Sequence, residues 1–209
     1  MTRDIKRALG GSRLFEQPQY SGELAAYHAA LARRPVLLEI GFELGRRLLD
    51  TAARNPSWTV IGLEVRRAKV TEVQRHAEAL PNLLAWRADG RTVLALHTPA
   101  ASLDVLEVLF PTPWLGDPRL LVTPEFCADA ARALRPGGLL LMATDVEDYA
   151  RVMDLALGSC PELEPDPRGG AGRPLCAERS RRQWRCELDG LRVYDFAYRR
   201  RDDAAQTMP

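Results

Sequence analysis

The stretch Val36-Leu-Leu-Glu-Ile-Gly-Phe-Glu-Leu-Gly45 decides the fold. Val36 to Ile40 have the length and branching of a buried parallel strand, and Arg46-Arg-Leu-Leu-Asp-Thr-Ala-Ala-Arg54 carries its apolar residues at helical spacing. Gly41 and Gly45 therefore fall in a strand-to-helix turn. In an open α/β sheet a ligand binds outside the carboxyl end of such a strand, where glycine lets the backbone approach it closely.

The same alternation continues outward from this unit. Strands are predicted at 36–40, 59–64, 83–87, 103–109 and 138–143, with helices at about 45–54, 67–79, 91–97, 124–134 and 146–157. That order predicts a doubly wound parallel α/β sheet. Ahead of it, residues 1–34 read as an arm: a loop containing Gly10-Gly11 and Gln17-Pro18-Gln19, then one helix from Glu23 to Arg34, stopped before Pro35. After it, a Pro/Gly-rich loop from Gly158 to about Arg173 precedes Gln183–Glu187 and Arg192–Tyr198, which read as a closing antiparallel hairpin. Five parallel strands and this pair make a seven-stranded Rossmann-like domain over 35–201, with 202–209 a frayed, flexible tail.

Composition narrows the class. A chain of 209 residues with 46% apolar content builds a full hydrophobic core. No run reaches the ~20 apolar residues of a membrane span. The basic start Met1 to Arg7 has no apolar segment behind it, so no signal peptide is expected and the cytoplasm is the expected compartment. Cys127, Cys160, Cys176 and Cys186 lack the paired spacing of a zinc site, so reduced, packing thiols and no metal are expected. His28, His76 and His97 are isolated, and no role is assigned to them. The net charge of +1 announces no global attraction to nucleic acid. Arginine nevertheless crowds the C-terminal fifth, with Arg173, Arg179, Arg181, Arg182 and Arg185 among them. Two readings stand there: a phosphate-binding patch, or a solvated face.

The residues inside the glycine turn separate two cofactor classes. A dinucleotide site wants a glycine against the pyrophosphate, and Glu43 occupies that position and would repel it. S-adenosylmethionine has no phosphate and carries a sulfonium cation, so acidic surroundings suit it. Thr59-Val-Ile-Gly-Leu-Glu64 is another strand ending in an acid, which can accept both ribose hydroxyls of an adenosine. Asn82-Leu-Leu-Ala-Trp-Arg-Ala-Asp89 ends in a third, placed to take an adenine amino proton. Each acid alone reads equally as a turn or helix cap; three in order at successive strand ends point to S-adenosylmethionine. The expected cofactor set is Glu39, Gly41, Gly45, Glu64 and Asp89.

Four segments carry a resemblance to a family: Leu38-Glu-Ile-Gly-Phe42, Ile61-Gly-Leu-Glu-Val65, Leu109-Phe-Pro-Thr-Pro-Trp114 and Met142-Ala-Thr-Asp145. Leu121-Val-Thr-Pro-Glu-Phe126, Leu134-Arg-Pro-Gly-Gly138 and Arg173-Pro174 support them. Together they resemble the bacterial tRNA (guanine-N7)-methyltransferases, from about Pro35 to Tyr149, as a divergent member. The resemblance implies methyl transfer from S-adenosylmethionine to N7 of a guanine in the tRNA variable loop. N7 carries a free lone pair, so it attacks in line without losing a proton first.

Asp145, at the end of the fifth strand, is where a carboxylate can accept the N1 and N2 hydrogens of guanine; the other reading of Thr144-Asp145 is a helix cap. The resemblance places Thr144, Asp145, Arg173 and Glu178 at the substrate, and Thr112 at a catalytic position. There the family carries Asp in a Phe-Pro-Asp-Pro-Trp turn. This chain also has Leu115-Gly-Asp-Pro-Arg119 in place of a basic loop, Glu43 in place of glycine, and Cys176 in place of a threonine. These departures keep two alternatives open: a methyltransferase of a small heterocyclic molecule on the same scaffold, or a catalytically weak paralogue that binds RNA or protein.

Overall fold

A computed structural model describes residues 21–202; the expected N-terminal loop and all but the first residue of the expected tail lie outside them. The elements run α1 (Ser21–Leu31), β1 (Val36–Ile40), α2 (Arg46–Arg54), β2 (Thr59–Glu64), α3 (Arg67–Ala77), β3 (Leu83–Arg87), α4 (Gly90–His97) and β4 (Leu103–Leu109), then α5 (Pro124–Ala133), β5 (Leu134–Thr144), α6 (Glu147–Gly158), β6 (Leu163–Pro165), α7 (Arg181–Leu188) and β7 (Tyr194–Arg200). One seven-stranded sheet has the order β3-β2-β1-β4-β5-β7-β6. Its first five strands are parallel, and β7 runs antiparallel between β5 and β6.

Full burial of β1 and β2 explains why both read as mainly apolar runs with no alternation of apolar and polar residues. Alternate side chains leave opposite faces of the sheet. Leu38, Ile40, Ile61 and Leu63 join a large core with Phe126, Tyr149 and Met153, whereas Leu37, Phe42, Leu48, Val60 and Val73 form a second core beneath α2 and α3. Each such buried side chain contributes roughly 1.5–3 kcal/mol relative to exposure. Helix α1 belongs to the larger core: Tyr27 is fully buried, meets Trp86 edge to face at 5.8 Å, and shares a 2.8 Å hydrogen bond with Thr98.

The strand order reverses between β1 and β4, so a crevice opens at the carboxyl ends of these two strands. Three elements differ from expectation. Helix α1 stops at Leu31, short of the expected Arg34. Strand β5 starts at Leu134 and passes through Pro136-Gly137-Gly138 in a register shift against β4, so the Pro-Gly-Gly break is a bulge inside a strand.

The third difference is a correction. Gln183–Glu187 is not a strand of the closing pair; it lies inside α7, whose start is capped by Ser180 Oγ accepting from the Gln183 amide at 3.0 Å. Residues of good helix propensity follow that cap, and the apparent alternation of Trp184 with Cys186 was too short to mark a strand. Besides β5, the antiparallel partner of β7 is Leu163–Pro165, hidden among prolines.

Candidate active site

A cleft of about 990 Å³ opens at the switch point, lined from one side by the ends of β1, β2 and β3 and from the other by the Phe110–Trp114 turn, the end of β5 and the start of α7. The glycine turn forms its floor. Gly41 has φ of 83° with open space where a Cβ would stand, and its amide donates to the Leu63 carbonyl at 2.7 Å. Gly45, at φ 68°, is the left-handed residue that starts α2; a Cβ there would lie 2.2 Å from Val73 Cγ2. Glycine is therefore needed at Gly45 for both conformation and space. Glu43 adopts φ of 50° between them.

Glu39, Gly41, Gly45, Glu64 and Asp89 all line this one cleft, and Thr112, Thr144 and Asp145 line it as well. Arg173 and Glu178 are not among its lining residues. Glu178 approaches through its backbone: its carbonyl accepts from Arg47 Nη1 at 3.2 Å and its amide donates to Asp50 at 3.3 Å, which pins 177–178 along α2. Arg173 is exposed at the end of the preceding turn.

Glu64 is 4% exposed. Burial pushes its pKa up, but two bonds from the Arg66 side chain at 3.1 and 3.0 Å, the Arg66 amide and the Glu43 amide together hold it below the ordinary range, so it is a carboxylate. Such a buried acceptor of two adjacent donors suits the two hydroxyls of a ribose. Asp89 caps α4 with Oδ1, which accepts from the Arg91 and Thr92 amides at 3.0 and 3.2 Å. Both readings of this acid are thus compatible, since the cap uses one oxygen only.

Glu39 faces Glu107 across the β1–β4 register. Burial and the neighbouring Glu107 charge push its pKa up to about 8, against the pull of Arg47. Arg47 Nη2 binds both Glu107 oxygens at 3.3 and 3.2 Å, and its Nε is buried without a partner among the described residues. Sequence reading missed this Arg47–Glu107 pair. The available signal was Glu107 itself, the single acid in the interior of the apolar run Val105–Leu109.

The opposite wall is more exposed. Thr112 lies on an open turn, and Arg119 stacks on Trp114 at 3.6 Å from the ring centre while also binding Asp117 at 2.8 Å. Arg182 Nη2 donates to Asp145 Oδ2, and Arg181 reaches Glu43 at 3.5 Å. Two further C-terminal arginines are also matched: Arg179 pairs with Glu187 at 2.5 Å and Arg185 with Asp189 at 3.1 Å. Trp184 stands 51% exposed on the cleft wall beside them, a residue the sequence reading had placed in a strand. Cys127, Cys160 and Cys186 are buried free thiols, as expected, and burial pushes Cys127 up to about 12. Among the described residues no side-chain cluster suits a metal ion, and no helix is long and apolar enough to cross a membrane.

A family model described as "Putative methyltransferase" matches residues 33–168. The tRNA (guanine-N(7)-)-methyltransferase of Alkalilimnicola ehrlichii is 36% identical over 197 residues, which cover 90% of this chain and 81% of that protein. The enzyme of the same description from Saccharophagus degradans is 34% identical, covering 91% of this chain and 84% of that protein. Among solved structures, the 16S rRNA methyltransferase KamB superposes with a TM-score of 0.59 at 21% identity, over 85% of this chain and 94% of that one. A geranyl diphosphate C-methyltransferase from Streptomyces coelicolor, solved with S-adenosyl-L-homocysteine, superposes with a TM-score of 0.54 at 15% identity, over 94% of this chain and 88% of that one. These two likenesses concern the fold.

Proposed function

We propose, from the premise that the chain belongs to the tRNA (guanine-N7)-methyltransferase family, that this S-adenosylmethionine-dependent methyltransferase modifies N7 of a guanine in tRNA. The observation that carries the reading is one cleft with two acidic walls: Glu39, Glu64 and Asp89 at successive strand ends, and Asp145 across from them. The cofactor supplies an electrophilic methyl group. Glu64 holds the ribose hydroxyls, Asp89 Oδ2 takes an adenine amino proton, and the Gly41–Gly45 backbone leaves room for the amino-acid end.

Asp145 accepts the N1 and N2 hydrogens of guanine and so directs N7 toward the methyl group. Thr144 steadies that turn, its Oγ1 accepting from the Val146 amide at 3.2 Å. No general base is needed, because the attacking nitrogen carries no proton. The work of these residues is orientation, which is worth several kcal/mol of barrier when donor and acceptor are held in line.

Mass-spectrometric nucleoside analysis of tRNA incubated with the protein and labelled S-adenosylmethionine tests this reading. Labelled 7-methylguanosine is the expected product, and its absence with cofactor still bound overturns the tRNA assignment. Thr112 favours a second reading, a small heterocyclic substrate, because the turn facing the reacting atoms carries no charge. Thr112→Asp separates the two: a higher rate on tRNA supports the first, and loss of a measured activity supports the second.

A further inference from the structure

We infer that Arg182 is a specificity-determining residue for base entry: its guanidinium occupies, in the free enzyme, the carboxylate that a guanine edge must reach. This rests on the reading of Asp145 as the guanine acceptor. The Asp145 side chain is 9% exposed and that of Arg182 is 48% exposed, so the arginine reaches in from the rim to a nearly enclosed acceptor. Its neighbour Arg181 binds Glu43 on the glycine turn. The start of α7 therefore ties together the two walls of the cleft, one residue to each.

The chemistry of the contact is selective. A guanidinium is a planar group whose N–H donors point along one edge. Guanine presents two such donors, N1–H and its exocyclic amine, so it can replace the single Arg182 Nη2 contact on Asp145 Oδ2 and engage the second oxygen as well. Adenine has an acceptor at N1 and cannot. A base that fails to satisfy Asp145 leaves the ion pair intact and is rejected against it, which is discrimination by a competing contact rather than by added attraction. If Arg182 covers Asp145 in about nine molecules of ten, the apparent affinity for guanine falls about tenfold, in proportion to the uncovered fraction.

Once displaced, the Arg182 charge remains at the rim, within reach of the phosphate beside the entering nucleotide, where a guanidinium binds strongly. One side chain thus opposes the base and favours the backbone. A ligand with no phosphate and one with many must respond oppositely to its removal.

The test titrates guanosine, with adenosine as control, into the S-adenosyl-L-homocysteine complex of the full chain by saturation-transfer NMR, beside KM measurements with tRNA. Arg182→Ala should bind guanosine about five- to tenfold more tightly, leave adenosine unchanged, and raise the KM for tRNA. Arg182→Lys should keep the tRNA KM near its original value, because charge persists at the rim, while losing most of the obstruction to guanosine. Unchanged, weakened or absent guanosine binding in both variants, with Asp145→Asn still abolishing methyl transfer to tRNA, overturns the role of Arg182 and leaves the site reading standing. An equal gain for adenosine overturns the specificity. Full tRNA methylation by Asp145→Asn shows that the underlying reading of Asp145 is wrong.

Discussion

The two halves of the cleft are built differently. In the cofactor half, Glu39 and Glu64 are each 4% exposed and stand on adjacent strands whose parallel register fixes them to their neighbours, Ile40 opposite Leu63 and Glu39 opposite Glu107. In the other half, Thr112 rides an open turn that begins with Phe110 at a positive φ of 51°, and Asp145 meets an arginine from a short helix 37 residues farther along the chain. One half is set by the sheet; the other is brought together by loops and ion pairs. A scaffold divided in this way can keep its cofactor while its substrate wall changes, and Thr112, where the resemblance implies an acid, stands on that second wall.

The largest expected effect lies in the loop-built half. Asp145→Asn should lower kcat/KM for tRNA methylation at least about a hundredfold, since an amide turns a donor toward a guanine donor and removes the charge that strengthens both bonds. Cofactor affinity, measured by calorimetry, should stay within about twofold if the halves are independent. A parallel loss of cofactor binding would break the distinction.

Glu64→Ala should do the reverse. Removing the buried acceptor should weaken S-adenosyl-L-homocysteine binding by about 1.5–3 kcal/mol, roughly tenfold to a hundredfold in Kd. Arg66 is already on that carboxylate and would lose its partner, so part of the change reflects the freed guanidinium. An unaltered Kd would move the ribose away from β2.

Gly45→Ala probes the frame beneath both. Its left-handed φ and the 2.2 Å approach of Val73 predict a destabilisation of about 1–3 kcal/mol, read from the midpoint of chemical unfolding. Gly41→Ala should perturb the fold less through packing, because open space surrounds that position, and its effect should show in cofactor affinity instead.

These differences follow what was legible in the sequence. Parallel strands buried on both faces are mostly apolar, so β1, β2 and β4 announced themselves, and Glu39 and Glu64 stood out against that background. Position in the chain then gave position in the sheet. The second wall offered no such rule. Arg181 and Arg182 look like any surface arginines until α7 is folded across the cleft, and eight residues with one buried side chain give too little periodicity to tell helix from strand. Strand β6 has three residues ending in proline and owes its existence to pairing with β7 rather than to local preference. Arg47 escaped for a related reason: its partner Glu107 comes from a strand 60 residues away.

The last expected effect concerns that buried group. Glu39 has its pKa raised from about 4.5 to about 8 by burial first and by the Glu107 charge second. A carboxyl whose folded pKa lies above its unfolded one holds its proton better when folded. Its contribution to stability is therefore complete below about pH 4.5 and is lost as pH rises toward 8. Glu39→Gln keeps the shape of the neutral form and cannot ionise. Unfolding measured from pH 5 to 8 should decline less steeply in Glu39→Gln than in the unmodified chain, by at most about 1.4 kcal/mol per pH unit. Parallel curves would mean that the pull of Arg47 on Glu39 outweighs burial and the Glu107 charge, and that Glu39 is already ionised across this window.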